Sequence, residues 1–554
     1  MPKQIVVIGS PGCGKTTAMT RFTDDWFKHG VDSQEIAYLA FTKAAANEAA
    51  GRIIGEESFD EDIAQRFPYF RTIHSLAYRG LTKEFPDMRL MTTADMKRFS
   101  QWSSLEGTFV FDKWEDLASV YQKLQGGGKT EWDDCLRAYT ISRISCRNAA
   151  EVEKARFEVS EKAKKAIGQV DAGAYLAFVA KYETYKNDNG LVDFTDMLVH
   201  ALTKMKPIEG VRHVVIDEAQ DLSPICVALC DRLFENAETC FWAGDEDQAI
   251  YIFSGADAKL FINRYNKSDS QIHLQQTHRF GQDVWNEAEK VIQKVTLRIP
   301  KTVYGLEGKK SNLSVSGQFE PFVGEALILH RHVAGCQEIA AIYRNAGMPF
   351  RNERGDDPLG SGKRVDNFRT LNDLADGKSV PGIAATEFIR EFVPSLMPDK
   401  SGRRLVALGA MKKLKNEAIP GEVTLYDLQN SKLLTSEGAE AIRMRYYNVF
   451  DHSEDFEYYH RVIEKGYKLG GKEIPTITTM HGSKGRGSPK VVVFSEMSRK
   501  CWDDEDSEHR LAFVAMTRTE GILQICAQQT VDWAKGNYDY PIKNAEKKEP
   551  PKNG

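Results

Sequence analysis

A glycine-rich segment near the start of the chain constrains the fold more than any other feature. It reads Gly9, Ser10, Pro11, Gly12, Cys13, Gly14, Lys15, Thr16 and Thr17. The apolar residues 5–8 before it predict a buried β-strand, and apolar residues after it recur at helical spacing. A strand, a glycine turn ending in Gly-Lys-Thr and a helix form the context of a phosphate-binding loop, whose backbone N–H groups hold phosphate oxygens. We therefore predict a nucleotide site in which Lys15 reaches the β- and γ-phosphates and Thr16 ligates Mg²⁺.

Length, charge and cysteine content narrow the class of protein. A chain of 554 residues is too long for one hydrophobic core. Its net charge of −5 argues against binding nucleic acid through bulk charge, although a local basic groove stays open. The sequence has no membrane-spanning run and no signal-like N-terminus, so we expect a cytoplasmic protein with no membrane partner. The nine cysteines lack metal-ligand spacing and predict reduced thiols, with Cys13 a candidate accessible thiol.

A second strong signal lies at residues 211–221, where an apolar strand runs directly into two acidic residues. Residues 214–216 predict a buried parallel strand, and Asp217 and Glu218 follow at its carboxyl end. Enzymes with a phosphate loop hold Mg²⁺ through a strand-terminal Asp, and hydrolysis needs a neighbouring carboxylate as base. Adjacent acids also occur in ordinary loops, but the phosphate loop upstream favours catalysis. We predict that Asp217 binds the metal and that Glu218 is the base.

Three further segments offer candidate contacts to nucleotide or nucleic acid. After a predicted strand at 239–243, Gln248 is placed to sense the γ-phosphate and Phe253 to stack on a base. Phe41 ends a predicted strand, and it is either a core aromatic or a stacking platform. Thr72 and His74 precede a predicted helix and suit a phosphodiester backbone, although a histidine there is more often structural.

In chain order these motifs resemble those of superfamily 1 DNA helicases of the UvrD/Rep/PcrA type. The similarity runs from Val6 to about Ile525 and is densest in two predicted α/β regions. It is carried by residues 9–17, 41–48, 72–75, 192–198, 217–221, 244–256, Leu274 with Arg279, 479–485 and 510–518. The chain departs from the family pattern at Lys43, Ser254 and Arg486.

The resemblance implies an α/β fold of two RecA-like cores, each a parallel sheet flanked by helices, with mostly helical insertions. The expected regions are a first core (1–78 and 190–275), a helical insertion (79–189), a second core (276–350 and 475–546), an inserted subdomain (351–474) and a disordered tail (547–554). Mg²⁺ and ATP would lie between the cores, and Arg279 and Arg518 would stabilise charge on the γ-phosphoryl group. The residues implied to contact DNA are Phe41, Thr42, Thr72, His74, Tyr251, Phe253 and His481.

The expected function is that of a DNA-dependent ATPase and helicase. By resemblance, it would move along single-stranded DNA with 3′-to-5′ polarity and unwind forked duplexes during replication or repair, with protein partners left open. One alternative is a translocase that displaces proteins without unwinding. Another is a recombination mediator in which ATP only switches DNA affinity. The paired distal arginines exclude a nucleotide kinase.

Overall fold

The structure is a computed structural model that describes most of the chain. The described residues are 1–40, 46–47, 50–51, 65–107, 130–252, 255–309, 312–352, 362–392, 405–407, 410–449, 453–469, 473–498, 505–526 and 537–539. They form two compact units. The first comprises Met1–Lys309 and Asp504–Thr517, and the second comprises Lys310–Asp503 and Arg518–Gly554. The boundary at Lys309 thus lies beyond the 275–276 boundary expected from the sequence.

A six-stranded parallel sheet forms the centre of the first unit. Its strands are Lys3–Gly9 (β1), Ile36–Ala40 (β2), Phe70–Thr72 (β3), His213–Ile216 (β6), Thr239–Gly244 (β7) and Ser270–Leu274 (β8), in the order β3-β2-β6-β7-β1-β8. A separate short parallel pair joins Arg89–Leu90 (β4) to Leu191–Val192 (β5). Because every strand of the large sheet is parallel, their carboxyl ends share one edge, which is where open α/β sheets bind ligands.

The central strands β1, β2, β6 and β7 are buried on both faces, which explains why they read as nearly continuous apolar runs. Val6 and Ile8 of β1 pack into one cluster and Ile5 and Val7 into the other, as the alternation of side chains along a strand requires. The helices of the first unit are Lys15–Lys28, Ile73–Glu84, Thr93–Ser103, Glu131–Ile144, Ala149–Ala155, Glu161–Ile167, Ala172–Asp188, Phe194–Lys204, Pro224–Leu233, Ala258–Lys267, Gln282–Ile292 and Glu505–Met516.

The second unit is built on another six-stranded parallel sheet. Its strands are Asn312–Ser316 (β9), Leu327–His330 (β10), Arg351–Asn352 (β11), Thr476–Thr479 (β14), Ser488–Phe494 (β15) and Thr519–Cys526 (β17), in the order β11-β14-β10-β15-β17-β9. Two short antiparallel pairs join Val380–Pro381 (β12) to Glu422–Val423 (β13), and Glu496–Ser498 (β16) to Asn537–Asp539 (β18). Its helices are Val333–Ala346, Gly362–Ala375, Gly382–Phe392, Ala410–Asn416, Leu425–Asn430, Ser436–Arg443 and Ser453–Glu464.

The predicted fold class is confirmed: the protein is α/β, with two large parallel sheets flanked by helices. In the described part of 79–189 the regular secondary structure is helical apart from β4, and most of the described part of 351–474 is also helical. The tail 547–554 lies outside the described residues. Within the part of the chain that the structure describes, no helix combines the length and the apolar character needed to cross a membrane.

Candidate nucleotide site

The glycine-rich turn after β1 adopts the backbone geometry that its sequence predicts. Gly12 and Gly14 have φ angles of +77° and +76°, in the left-handed region that glycine enters without a steric penalty. The helix Lys15–Lys28 begins directly after Gly14. The Nζ atom of Lys15 donates to the carbonyl oxygen of Gly9 at 2.8 Å, which places the ammonium against the turn. The N-terminus of the helix, the glycine turn and the Lys15 ammonium therefore lie together, as a phosphate-binding site requires.

The side chains predicted to hold the metal lie together, although 201 positions separate them. The Thr16 hydroxyl donates to Asp217 Oδ2 at 2.9 Å, and the Tyr38 hydroxyl donates to the same oxygen at 3.0 Å. Asp217 is buried at the carboxyl end of β6, and its pKa is raised by burial and by neighbouring Glu218. A hydroxyl and a carboxylate are hard oxygen ligands of the kind Mg²⁺ prefers, so the residues present fit that ion.

Glu218 occupies a strained backbone position. Its φ of 53° lies in the left-handed region, which is uncommon for a residue other than glycine. Its Oε2 atom accepts a hydrogen bond from Gln220 Nε2 at 2.5 Å, and its backbone N–H donates to Asp217 Oδ1 at 2.9 Å. Strain of this kind costs on the order of 1–3 kcal/mol and clusters at functional sites. The conformation thus sets the two carboxylates at fixed positions after the strand.

The segment that follows β8 packs against the phosphate loop. The Thr277 hydroxyl donates to the carbonyl oxygen of Pro11, and the His278 N–H donates to that of Gly12, both at 2.9 Å. A Cβ atom on Gly12 would lie 2.5 Å from Thr277 Oγ1 and 2.7 Å from Arg279 Cβ. The predicted γ-phosphate arginine, Arg279, is therefore carried by a segment that touches the loop directly.

Three consecutive buried acids follow β7 and surround one lysine. The Lys301 Nζ atom lies 2.5 Å from Asp245, 2.9 Å from Glu246 and 2.7 Å from Asp247. Arg298 adds a bidentate pair to Asp247 at 2.7 and 2.8 Å. The carboxylates approach one another as closely as metal ligands do, within 4.8 Å, but the lysine ammonium supplies the positive charge between them.

Burial and the neighbouring charges shift the pKa values of two members of this acid–lysine cluster, which we define as Asp245, Glu246, Asp247, Arg298 and Lys301. Burial alone would lower the pKa of Lys301, but the three carboxylates outweigh it and raise that pKa well above its usual value. Burial raises the pKa of Glu246 to about 7, against the opposing effect of Lys301. With Glu246 protonated, two carboxylates face two cations and the cluster is neutral.

Gln248 and Arg510 extend this cluster. The Nε2 atom of Gln248 donates to Asp245 Oδ2 at 2.8 Å. Arg510, on the helix Glu505–Met516, donates from Nε to the Glu246 carbonyl and from Nη2 to the Leu297 carbonyl, both at 3.0 Å. Gln248, the predicted γ-phosphate sensor, is thus held in place by the acid–lysine cluster. Arg510, which belongs to a motif far away in the sequence, is hydrogen-bonded to the same loop.

The predicted nucleic-acid contacts are placed as follows. Thr72 ends β3 and caps the helix Ile73–Glu84, since its hydroxyl accepts from the Ser75 N–H at 3.2 Å. His74 is half-buried, and burial lowers its pKa to about 4, so its imidazole is neutral at physiological pH. Tyr251 and His481 are only 8% and 5% exposed, His481 being in the second unit.

Three of the predicted DNA-contact residues, Phe41, Thr42 and Phe253, lie outside the described residues. Arg518 belongs to the second unit, where it is buried and its carbonyl oxygen accepts from the Ser488 N–H at 3.1 Å. The roles of all these residues stay predictions.

The expectation of an accessible thiol at Cys13 is wrong. The side chain is 5% exposed, and burial raises its pKa to about 11. An ionised thiolate at this buried position would be poorly solvated, so the thiol stays protonated and unreactive.

Sequence reasoning missed the partners that hold the candidate site together. Tyr38 bonds Asp217 from the neighbouring strand, and Arg298 and Lys301 neutralise the acids after β7. A run of three acids at the end of a buried strand is itself a signal, because buried carboxylates require cationic partners. Nothing in the sequence around Lys301 indicated that it was the partner.

Comparisons with known proteins agree with the geometry. Residues 1–269 match the model of the UvrD/REP helicase N-terminal domain. The chain is 22% identical over 382 residues to a "Probable DNA helicase II homolog" of Mycoplasma pneumoniae, covering 64% of this chain and 50% of that protein. It is 27% identical over 343 residues to "DNA helicase IV" of Escherichia coli, covering 54% and 47% respectively.

A third relative, "ATP-dependent DNA helicase srs2" of Schizosaccharomyces pombe, is 23% identical over 337 residues, covering 56% of this chain and 34% of that protein. The chain thus spans about half, or less, of the length of these curated relatives.

Proposed function

We propose that this chain, whose residues 1–269 match the model of the UvrD/REP helicase N-terminal domain, is an ATP-dependent DNA helicase of that kind. It would hydrolyse Mg-ATP, move along single-stranded DNA, with 3′-to-5′ polarity by resemblance, and unwind forked duplex DNA. The observation that carries the proposal is the contact between Thr16 of the phosphate loop and Asp217, with Glu218 beside it.

The proposed mechanism assigns one task to each side chain. Lys15 and the loop N–H groups bind the β- and γ-phosphates, and Thr16 and Asp217 would hold Mg²⁺. Bound Mg²⁺ supplies charge neutralisation at the phosphoryl oxygens. Glu218 takes a proton from the attacking water, a contribution of about 10²–10⁴ in rate for a general base.

Charge that develops on the γ-phosphoryl group requires further donors. We propose that Arg279 and Arg518 supply them, since an arginine in this role contributes about 10³–10⁵ in rate. Gln248 would report the presence of the γ-phosphate to the loop after β7, because its amide is already bonded to Asp245. Loss of the γ-phosphate would then change the hydrogen bonds of a loop that carries Tyr251.

The test compares ATP hydrolysis with and without a single-stranded oligonucleotide. We expect DNA to stimulate phosphate release, Lys15→Ala to abolish it, and Glu218→Gln to retain ATP binding while turnover falls at least a hundredfold. Near-normal turnover of Glu218→Gln would remove that residue from the role of base. Turnover that DNA does not stimulate would favour a binding protein that ATP merely switches.

Strand displacement then separates a helicase from a translocase. A helicase of the proposed polarity opens a duplex with a 3′ single-stranded tail and leaves one with a 5′ tail closed. Stepping along single strands without displacement of either duplex would indicate the translocase instead.

A further inference from the structure

The buried strand β2 carries one polar side-chain atom, the hydroxyl oxygen of Tyr38. All residues of Ile36–Ala40 are buried, and apart from Tyr38 they are isoleucine, leucine and alanine. A phenylalanine would fill the same space in the core. A tyrosine hydroxyl in such a place requires a hydrogen-bond partner, because burial without one costs free energy. The hydroxyl of Tyr38 thus has a task other than packing.

The ring of Tyr38 is held in one orientation by its neighbours. In the register of the sheet, Tyr38 lies between Val215 of β6 and Phe70 of β3. Its ring stacks on the ring of Phe70, with centroids 5.8 Å apart and planes inclined by 25°. All three residues belong to the apolar cluster that also contains Met19 of the helix Lys15–Lys28. Because protein interiors are close-packed, the hydroxyl is fixed beside the residue that follows β6.

Three donors hold the carboxylate of Asp217 in the part of the chain that the structure describes. The backbone N–H of Glu218 donates to Oδ1, and the hydroxyls of Thr16 and Tyr38 both donate to Oδ2. A carboxylate offers about four lone-pair sites, two on each oxygen. These bonds therefore fill Oδ2 and leave one site on Oδ1 for a metal ion or for a metal-bound water molecule.

The three donors to Asp217 are not equivalent. Thr16 would share its hydroxyl oxygen with the metal, and the N–H of Glu218 belongs to the adjacent residue. Tyr38 comes from another strand and has no predicted contact with the nucleotide. It is therefore the donor that can hold Asp217 in the same position with and without the metal.

We propose that Tyr38 is a positioning residue of the magnesium site, whose hydroxyl holds Oδ2 of Asp217 so that Oδ1 is presented to the metal. The inference rests on the proposed function, in which Thr16 and Asp217 hold Mg²⁺. It gives a role to a residue that lies outside every motif of the helicase resemblance. A hydrogen bond to a carboxylate is charge-assisted and therefore strong, and such bonds orient the side chains that ligate metals.

The test measures how strongly Mg²⁺ promotes binding of a fluorescent, non-hydrolysable ATP analogue. The measured quantity is the ratio of the affinity in excess Mg²⁺ to the affinity in EDTA. Tyr38→Phe keeps the ring and its stacking on Phe70, and removes only the hydroxyl. We expect the ratio to fall about tenfold, since loss of the hydrogen-bond partner of a metal ligand costs a metal site about 10–100-fold in affinity. The affinity in EDTA should stay at the wild-type value, whereas a distorted phosphate loop would lower it.

The metal requirement of ATP hydrolysis provides a second measurement. Half-maximal hydrolysis by Tyr38→Phe should require about tenfold more Mg²⁺ than hydrolysis by the wild type. Excess Mg²⁺ should then restore the rate, because a residue that acts on metal affinity can be compensated by metal. A loss of rate that excess Mg²⁺ does not restore would contradict a positioning role. A Tyr38→Phe protein that does not fold would also overturn the proposal, since the hydroxyl would then serve the fold.

Tyr182→Phe is the matched control. Tyr182 is also fully buried, and its hydroxyl donates to the buried carboxylate of Asp193 at 3.1 Å. It lies on the helix Ala172–Asp188 and has no predicted role in the nucleotide site, so this variant should show the wild-type ratio. An equal loss in Tyr182→Phe would overturn the proposal, because removal of any buried tyrosine hydroxyl would then have the same effect.

The outcomes distinguish this role from the proposed function. If nucleotide binding by the wild type does not depend on Mg²⁺, the metal site of the proposed function is itself overturned. If the wild type depends on Mg²⁺ and Tyr38→Phe shows the same ratio, the positioning role is overturned and the proposed function stands.

Discussion

Replacing Lys301 by methionine tests whether the acid–lysine cluster holds the loop after β7. Lys301 is 3% exposed, and its ammonium contacts all three acids of that loop. Methionine keeps most of the side-chain volume and removes the charge. Asp245 and Glu246 then lose their cation, because Arg298 contacts only Asp247. The substitution therefore leaves buried negative charge uncompensated rather than deleting a surface pair.

The magnitude follows from that burial. Removing one partner of a buried ion pair costs about 3–5 kcal/mol, because the other charge stays buried without a counter-ion. For a large domain each kcal/mol corresponds to about 2 °C in melting temperature. We therefore expect the melting temperature of the first unit to fall by about 6–10 °C. The same change should slow ATP turnover, since Gln248 is bonded to Asp245.

Tryptophan fluorescence during heating is a suitable assay, because six of the eight tryptophans lie in the first unit. Lys290→Met is the matched control: it is the same substitution in an exposed pair with Glu287, worth about 0–1 kcal/mol. A Lys301→Met protein that melts within 2 °C of the wild type would refute the reasoning. Such a result would mean that the acids are protonated or solvated without the lysine.

Three further results are expected. Glu246→Gln should flatten the pH dependence of stability, because burial raises the pKa of Glu246 to about 7 in the folded protein. Relative to the variant, the free energy of unfolding of the wild type should fall by roughly 3 kcal/mol as pH rises from 4.5 to 7, which melting curves from pH 5 to 8 would detect. Gly12→Ala should weaken binding of a fluorescent ATP analogue at least tenfold by displacing Thr277, whereas Gly30→Ala, equally left-handed but with open space around it, should not. As a single substitution, Arg143→Met should lower the melting temperature by about 6–10 °C, because Arg143 pairs with buried Asp193 at 2.6 Å. An unchanged melting curve would contradict this expectation.

Residues whose roles depend on a local pattern could be predicted from the sequence. Thr16 and Asp217 are 201 positions apart, yet each ends a strand-to-loop pattern with a restricted chemistry, and the shared edge of a parallel sheet brings them together. The left-handed Gly12 and Gly14 could be predicted for the same reason, because only a glycine turn closes around phosphate.

Residues that act through distant partners could not be predicted. Lys301 lies 56 positions after Asp245 in a loop with no motif, and only the three-dimensional fold brings them together. The helix Glu505–Met516 reads as part of the second predicted core, but it packs in the first unit, where Phe513 contacts Trp285 with ring centroids 6.0 Å apart. No local pattern records which sheet such a helix joins.

The net charge of −5 is weak evidence against nucleic-acid binding, because the local electrostatic field depends on which charges are paired within the fold and not on their sum over the chain. The acids of the loop after β7 add to the negative total, but Lys301 and Arg298 neutralise them inside the fold. Arg71 and Arg79, in contrast, are positive charges that form no ion pair with a described carboxylate. The carboxylates of this buried loop are thus neutralised inside the fold and contribute little to the field outside it. The net charge of the chain therefore does not report the charge at any one edge of the sheet, and it cannot exclude a local basic site.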